Sequence, residues 1–129
     1  MNLLMVIVNY NKYQSYGSTF EVQDLEPLGA KWSAFGFGAI DVDGHDTGAL
    51  LSVLSHLPLE PQKPTAIICH TVKGKGVDFT ENDMEWHHKN RLTDEEIQAL
   101  EAQTEALEKV LGEARCQLEA VRVIVAGGA

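Results

Sequence analysis

The sequence predicts an α/β fold, a partial parallel sheet of about three strands with flanking helices and a long C-terminal helix. Three observations predict it. Short apolar runs stand at Leu3–Val8, Gly38–Val42 and Thr65–Cys69. Helical patterns separate these runs at the spacing of βαβ units with right-handed crossovers. From Thr93 onward, apolar residues recur at helical spacing among acids.

Leu3–Val8 (LLMVIV) is continuously apolar, which predicts a strand buried on both faces. Asn9–Gly17 follows as a polar, aromatic loop, and Asn9 and Asn11 suit turn conformations. A first helix is expected within Thr19–Phe35. Asp24 is its expected N-cap and Pro27 lies in its first turn. Leu28, Trp32 and Phe35 would face the sheet, and Gly36 would end the helix. After the second strand, Asp46 is expected to cap a helix of about Thr47–Leu57. Pro58, Pro61 and Pro64 keep the next connection extended. The third strand, Thr65–Cys69, releases a loop crowded with Lys, Gly, Asp, Glu, Asn, Trp and His. An apolar strand feeding such a loop is the usual place for ligand chemistry in an open α/β sheet.

The last helix is expected over Thr93–Val121, with Thr93 and Glu96 as a capping box. Ile97, Leu100, Thr104, Leu107, Val110 and Leu111 form its apolar stripe, and acids fill the other face. The tail VRVIVAGGA would extend the helix, form an edge strand or fray. The chain thus divides into an α/β part, 1–92, and a C-terminal acidic helix with an apolar tail, 93–129, packed on or beside it.

The 129 residues, 44% of them hydrophobic, suit one domain with a core. A formal net charge of −9 argues against duplex nucleic acid or an anionic membrane as main partner. A local loop can still be basic on an acidic protein, so an anionic ligand stays open. Cys69 and Cys116 fall in different expected elements, which argues against a disulfide framework and makes a reducing cytoplasm the expected compartment. MNLLMVIVN lacks a basic leader and a small-residue cleavage site, so it reads as a strand and not a signal peptide.

Within the third loop, Lys73-Gly74-Lys75-Gly76 sets two ammonium groups between two glycines. Glycines let backbone approach a ligand, and lysines seek phosphate. The spacing is not a Walker loop. Trp86-His87-His88 adds an aromatic ring and two imidazoles, which donate hydrogen bonds or carry protons near neutral pH. His45 sits in a turn where it could touch a ligand. On the residues alone, a solvated turn explains KGKG equally well.

Taken together and in order, VIVNYNKYQSYG, DLEPLGAKWSAFG, VDGHD, KPTAIICHTVKGKGVDFTEN and WHH resemble transketolase. The likeness is to its thiamine-diphosphate-binding N-terminal part, including the stand-alone N-terminal subunit, and covers roughly Asn2–Leu107. It implies the second half of that cofactor domain. It implies that the Asn11 side-chain oxygen and the Tyr13 backbone carbonyl bind the Mg²⁺ that bridges protein and diphosphate. It implies that His87 lies near diphosphate and substrate as a catalytic and cofactor-binding residue. The implied reaction moves a two-carbon ketol unit between sugar phosphates.

Departures from the family pattern shape the expectation. The 129 residues contain no Gly-Asp-Gly, the motif whose Asp completes the family's metal site. Upstream histidines and strands, and the pyrimidine-binding domain with its Glu, are also expected to lie outside this sequence. Asn9 stands where Asp is common, and His88 where Gly or Tyr is more usual. The chain is therefore expected to be inactive alone and to need a complementary transketolase chain. The alternatives are a non-catalytic oligomeric remnant and a phosphometabolite-binding module. Leu3–Val8, lacking family neighbours, would expose an edge that favours a homo-oligomer.

Overall fold

The computed structural model of the chain describes residues 4–127, with side chains described through Cys116 in the last helix. Contacts divide the chain into two units, Met1–His88 and Lys89–Ala129.

The first unit is built on a parallel sheet of β1 (Met5–Tyr10), β5 (Thr65–His70) and β4 (Gly38–Asp43), in the order β1-β5-β4. β5 is central, and five of its six residues are buried, because TAIIC is apolar or small on both faces. The register aligns Ile7 and Ile40 with Ile67, and Val8 and Asp41 with Ile68. Side chains alternate across a strand, so these two sets lie on opposite faces.

α3 (Thr47–Ser55) covers the first face: Ala49, Leu50, Val53 and Leu57 pack against Val42, Ile67 and Cys69. Asp46 caps α3 as expected, its Oδ1 accepting from the Ala49 N–H at 2.9 Å. α2 (Leu28–Ala34) lies on the other face. There a Cβ on Gly29 would stand 3.1 Å from Asp41 Oδ2 and 3.6 Å from Ile68 Cδ1.

The region 19–35 is not one helix. α1 (Thr19–Val22) is a single turn held by a capping box: the Glu21 N–H donates to Ser18 Oγ, and the Ser18 N–H donates to Glu21 Oε2. α2 starts after Pro27, which has no N–H to donate and takes an extended conformation as N-cap. Asp24 does not cap it; its Oδ1 accepts from the Glu26 N–H at 2.9 Å. Glu26 Oε2 takes the Leu28 N–H instead. Nor does Phe35 face the sheet: it ends α2 at 80% exposure. Trp32 is half-buried against the edge of Phe37, with ring centroids 4.9 Å apart. Gly36, at φ +88°, takes the left-handed turn that stops the helix.

β1 differs most from expectation. It is an edge strand, and its Ile7 is 57% exposed rather than buried on both faces. A continuous apolar run records that both faces suit burial, but long-range neighbours decide whether both are covered. Leu3 lies outside the described residues. The loop after β1 holds a short hairpin, β2 (Tyr13–Gln14) with β3 (Gly17–Ser18), where irregular chain was expected.

In the second unit, α4 runs from Asp94 to Gly127, longer than expected and drawing most of the apolar tail into helix. Gly128 and Ala129 lie outside the described residues. The capping box is present: Thr93 Oγ1 accepts from the Glu96 N–H at 3.3 Å, and Glu96 Oε2 from the Thr93 N–H at 2.9 Å. Lys89 pairs with the same Glu96 carboxylate. No helix among the described residues is long and apolar enough to cross a membrane.

Candidate functional site

β1, β5 and β4 are parallel and end in register at Tyr10, His70 and Asp43. Three loops therefore leave one edge of the sheet together, the edge where open α/β sheets hold ligands.

The loop after β1 is set by Asn11. Its Oδ1 accepts from the Tyr13 N–H at 2.9 Å, and Lys12 between them is left-handed at φ 67°. Lys12 carries its ammonium 3.4 Å from the centroid of the Tyr10 ring and 3.2 Å from Glu26 Oε1. Tyr10 donates its hydroxyl to the same oxygen at 3.0 Å. The Leu28 N–H, then Lys12 and Tyr10, hold the Glu26 carboxyl below its usual range.

The loop after β4 is a tight turn. Asp43 Oδ1 accepts from the His45 N–H at 2.9 Å. A Cβ at Gly44 would stand 2.5 Å from Thr71 Cγ2, so only glycine lets this turn lie against the third loop. His45 reaches across: its Nε2 accepts from the Val72 N–H at 2.8 Å. Nε2 therefore presents its lone pair, and the ring proton sits on Nδ1. Thr71 donates to Asn9 Oδ1 at 2.5 Å, tying the third loop to the first.

The third loop folds on itself around Thr80, which is buried. Gly74, at φ +77°, packs so closely that a Cβ would stand 2.5 Å from Thr80 O and from Thr80 Oγ1. Lys75 is drawn away to Glu81 at 3.3 Å, and Glu81 Oε1 also accepts from the Gly76 N–H. Lys73 instead lines a crevice of about 290 Å³ with Asn9, Asn11, His45, Thr71, Val72 and Gly74. A second crevice of about 480 Å³ shares His45, Thr71 and Val72 and adds Asp43, His70 and Lys75.

The structure brings Asn11 to the first crevice. The Tyr13 backbone stays beside Asn11, but its hydroxyl turns away to donate to Asn82 O at 2.7 Å. The Tyr13 ring lies 6.4 Å from that of His87. His87 Nδ1 is buried and has no hydrogen-bond partner among the described residues. Desolvation, then the charges of His88 and Lys73, push the His87 pKa below its usual 6.5. His45, Thr71 and Asn9 belong to the same crevice. The sequence signals for them were weak: a turn histidine, a threonine after a strand and an asparagine before a turn.

This donor set can be tested against a magnesium-bound diphosphate. Mg²⁺ requires near-octahedral oxygen coordination and takes carboxylates, phosphate oxygens and water. The first crevice offers amide oxygens and a hydroxyl, with Lys73 beside them, and no carboxylate lines it among the described residues. Asn11 Oδ1 keeps a second lone pair after accepting from Tyr13. His87 does not line this crevice and its unpartnered Nδ1 is buried, so the groups on offer are those of Asn9, Asn11, His45, Thr71 and Lys73. These groups fit the diphosphate and part of a metal shell, and they do not fill one. No three His, Cys, Asp or Glu side chains among the described residues stand together as a metal site.

Residues 1–108 match the family model of the transketolase thiamine diphosphate binding domain. The 6-deoxy-6-sulfo-D-fructose transketolase subunit of Clostridium sp. (strain MSTE9) is 38% identical over 102 residues, covering 79% of this chain and 37% of that protein. An apulose-4-phosphate transketolase subunit from Phocaeicola vulgatus is 31% identical over 107 residues, covering 83% of this chain and 38% of that protein. Its counterpart from Actinobacillus succinogenes is 37% identical over 99 residues, covering 76% and 35%. The chain thus spans little more than a third of these relatives' length. With the family model matching most of its residues, the chain belongs to the transketolase family, in its thiamine diphosphate binding domain.

Proposed function

We propose that this chain supplies the diphosphate end of a thiamine diphosphate site and that a complementary transketolase chain supplies the rest. The observation that carries this reading is the first crevice: amide, hydroxyl, imidazole and ammonium groups converge there without a carboxylate. A metal-bound diphosphate placed there needs an acidic ligand from elsewhere. The relatives' names as transketolase subunits support a partner chain.

In this reading Asn11 Oδ1 and the Tyr13 carbonyl are the groups of this chain that would hold Mg²⁺. Lys73 attracts the diphosphate charge. His45 fixes the Val72 end of the loop so that Lys73 and Gly74 stay at the crevice. His87, its pKa pushed below the usual 6.5, is kept near diphosphate and substrate in this reading by the family resemblance, with its buried Nδ1 turned inward. Thiamine diphosphate, when bound, supplies the electron sink for two-carbon ketol transfer between sugar phosphates.

A second reading, a non-catalytic oligomeric remnant, is favoured by the exposed edge strand β1 with its uncovered Ile7. The two separate in one assay. Ketol transfer between sugar phosphates is measured for the chain alone and for an equimolar mixture with a transketolase chain carrying the Gly-Asp-Gly and pyrimidine-binding segments. Activity only in the mixture supports the proposal. Activity of the chain alone overturns it, and silence in the mixture favours the remnant.

A further inference from the structure

The helix α4 carries a pattern that the cofactor reading does not use. Its 34 residues extend about 51 Å, and a helix in a protein draws most of its stability from packing of its apolar face. Ile97, Leu100, Thr104, Leu107, Leu111 and Ala114 alternate at spacings of three and four, the a and d positions of heptads. In sequence the same spacing continues at Leu118, Val121 and Val125. Leu107 and Leu111 are 49% and 59% exposed, so this seam is uncovered. Its one polar member is satisfied within the helix, Thr104 Oγ1 donating to Leu100 O at 2.8 Å. Gly112, a weak helix former, falls at an outer b position.

Charge names the occupant. The e positions flanking the seam read Glu101, Glu108, Arg115 and, in sequence, Arg122. The acidic half precedes the basic half, so the row complements itself when reversed. In an antiparallel pair, e positions meet e positions of the other helix. An antiparallel register centred between Leu111 and Ala114 sets Leu111 against Ala114 of a second copy. The same register brings Glu108 to Arg115 of the other copy, twice by symmetry. A parallel pair instead sets e against g, where Gln103, Val110 and Gln117 offer no charge. We propose that α4 pairs antiparallel with α4 of a second copy of this chain, forming a two-fold coiled coil set in register by Glu108 and Arg115.

Sedimentation equilibrium of the full chain tests this, with far-UV circular dichroism confirming that each variant is folded. The wild type is expected to be a dimer, and Leu107→Asp with Leu111→Asp a monomer. Glu108→Arg sets arginine against arginine at both symmetric contacts and weakens the dimer roughly tenfold. Adding Arg115→Glu to it restores the wild-type dissociation constant, a recovery that a merely structural role for either residue would not give. A wild-type monomer overturns the proposal. A dimer that survives the paired leucine substitutions places association on another surface, such as β1, and also overturns it. Failure of the double charge swap to recover overturns the antiparallel register.

Discussion

The Val72 N–H donates to His45 Nε2 at 2.8 Å, joining two residues 27 positions apart at the carboxyl edge of the sheet. This bond fixes the start of the KGKG loop to the turn after β4. Val72, Lys73 and Gly74 line the crevice beside Asn11, so the bond also sets that crevice's floor. Replacing His45 with Ala should lower unfolding stability by about 1 kcal/mol, the net worth of one such bond. Hydrogen exchange at the Val72 amide should accelerate with it; unchanged protection would show that the loop is held by other contacts.

Gly74 and Gly76 both have positive φ, yet their surroundings differ. A Cβ at Gly74 meets Thr80 O and Oγ1 at 2.5 Å, whereas nothing stands within 4 Å at Gly76. Gly76→Ala should cost only the left-handed strain, about 1 kcal/mol. Gly74→Ala adds a backbone clash and should cost about 3 kcal/mol in total. Urea unfolding of the two variants compares them directly, and equal losses would contradict the packing around Thr80.

His87 should titrate below its usual value, through desolvation first and then the charges of His88 and Lys73. Proton NMR of the imidazoles reads this. Lys73→Ala removes a nearby positive charge, so the His87 titration should move up in pH. Inorganic diphosphate bound beside Lys73 should move it in the same direction. No movement on either change would contradict the influence of the Lys73 charge on His87.

Acid should weaken the fold through a group of carboxyls. Glu21, Glu26, Glu81 and Glu96 all sit below the usual 4.5, held there chiefly by hydrogen bonds from Ser18, Leu28, Gly76 and Lys89 in turn. Their folded pKa values are depressed, so the unfolded chain binds protons first as pH falls. Their stabilisation is therefore present above 4.5 and is lost as pH drops through the folded values. Thermal unfolding midpoints from about pH 6 to about pH 3 should fall, and Glu26→Gln should reduce the dependence. A midpoint flat over that range would contradict these bonds.

What the sequence made legible follows the range of the interactions. The caps Asp46 and Thr93–Glu96 bond within three residues, and β5 is apolar along nearly its whole length. Each signal is local. The break at Pro27 and the Ser18–Glu21 capping box were local too, but the apolar spacing of Leu28, Trp32 and Phe35 favoured one helix over two. Burial of β1 and the placement of β5 at the centre depend on neighbours that no local pattern records. The site divides in the same way. Asn11 and Tyr13 are two residues apart and meet through a turn. Asn9 and Thr71 are 62 residues apart, and only the parallel register brings them together.

The central claim is that this chain holds one side of a diphosphate site. Calorimetric titration of thiamine diphosphate with Mg²⁺ into an equimolar mixture with the complementary transketolase chain tests it most directly. Binding is expected in the mixture, with a loss of roughly tenfold or more on Asn11→Ala, and affinity weaker than about 1 mM for this chain alone. Undiminished binding by the Asn11→Ala mixture, or micromolar binding by this chain alone, would contradict it.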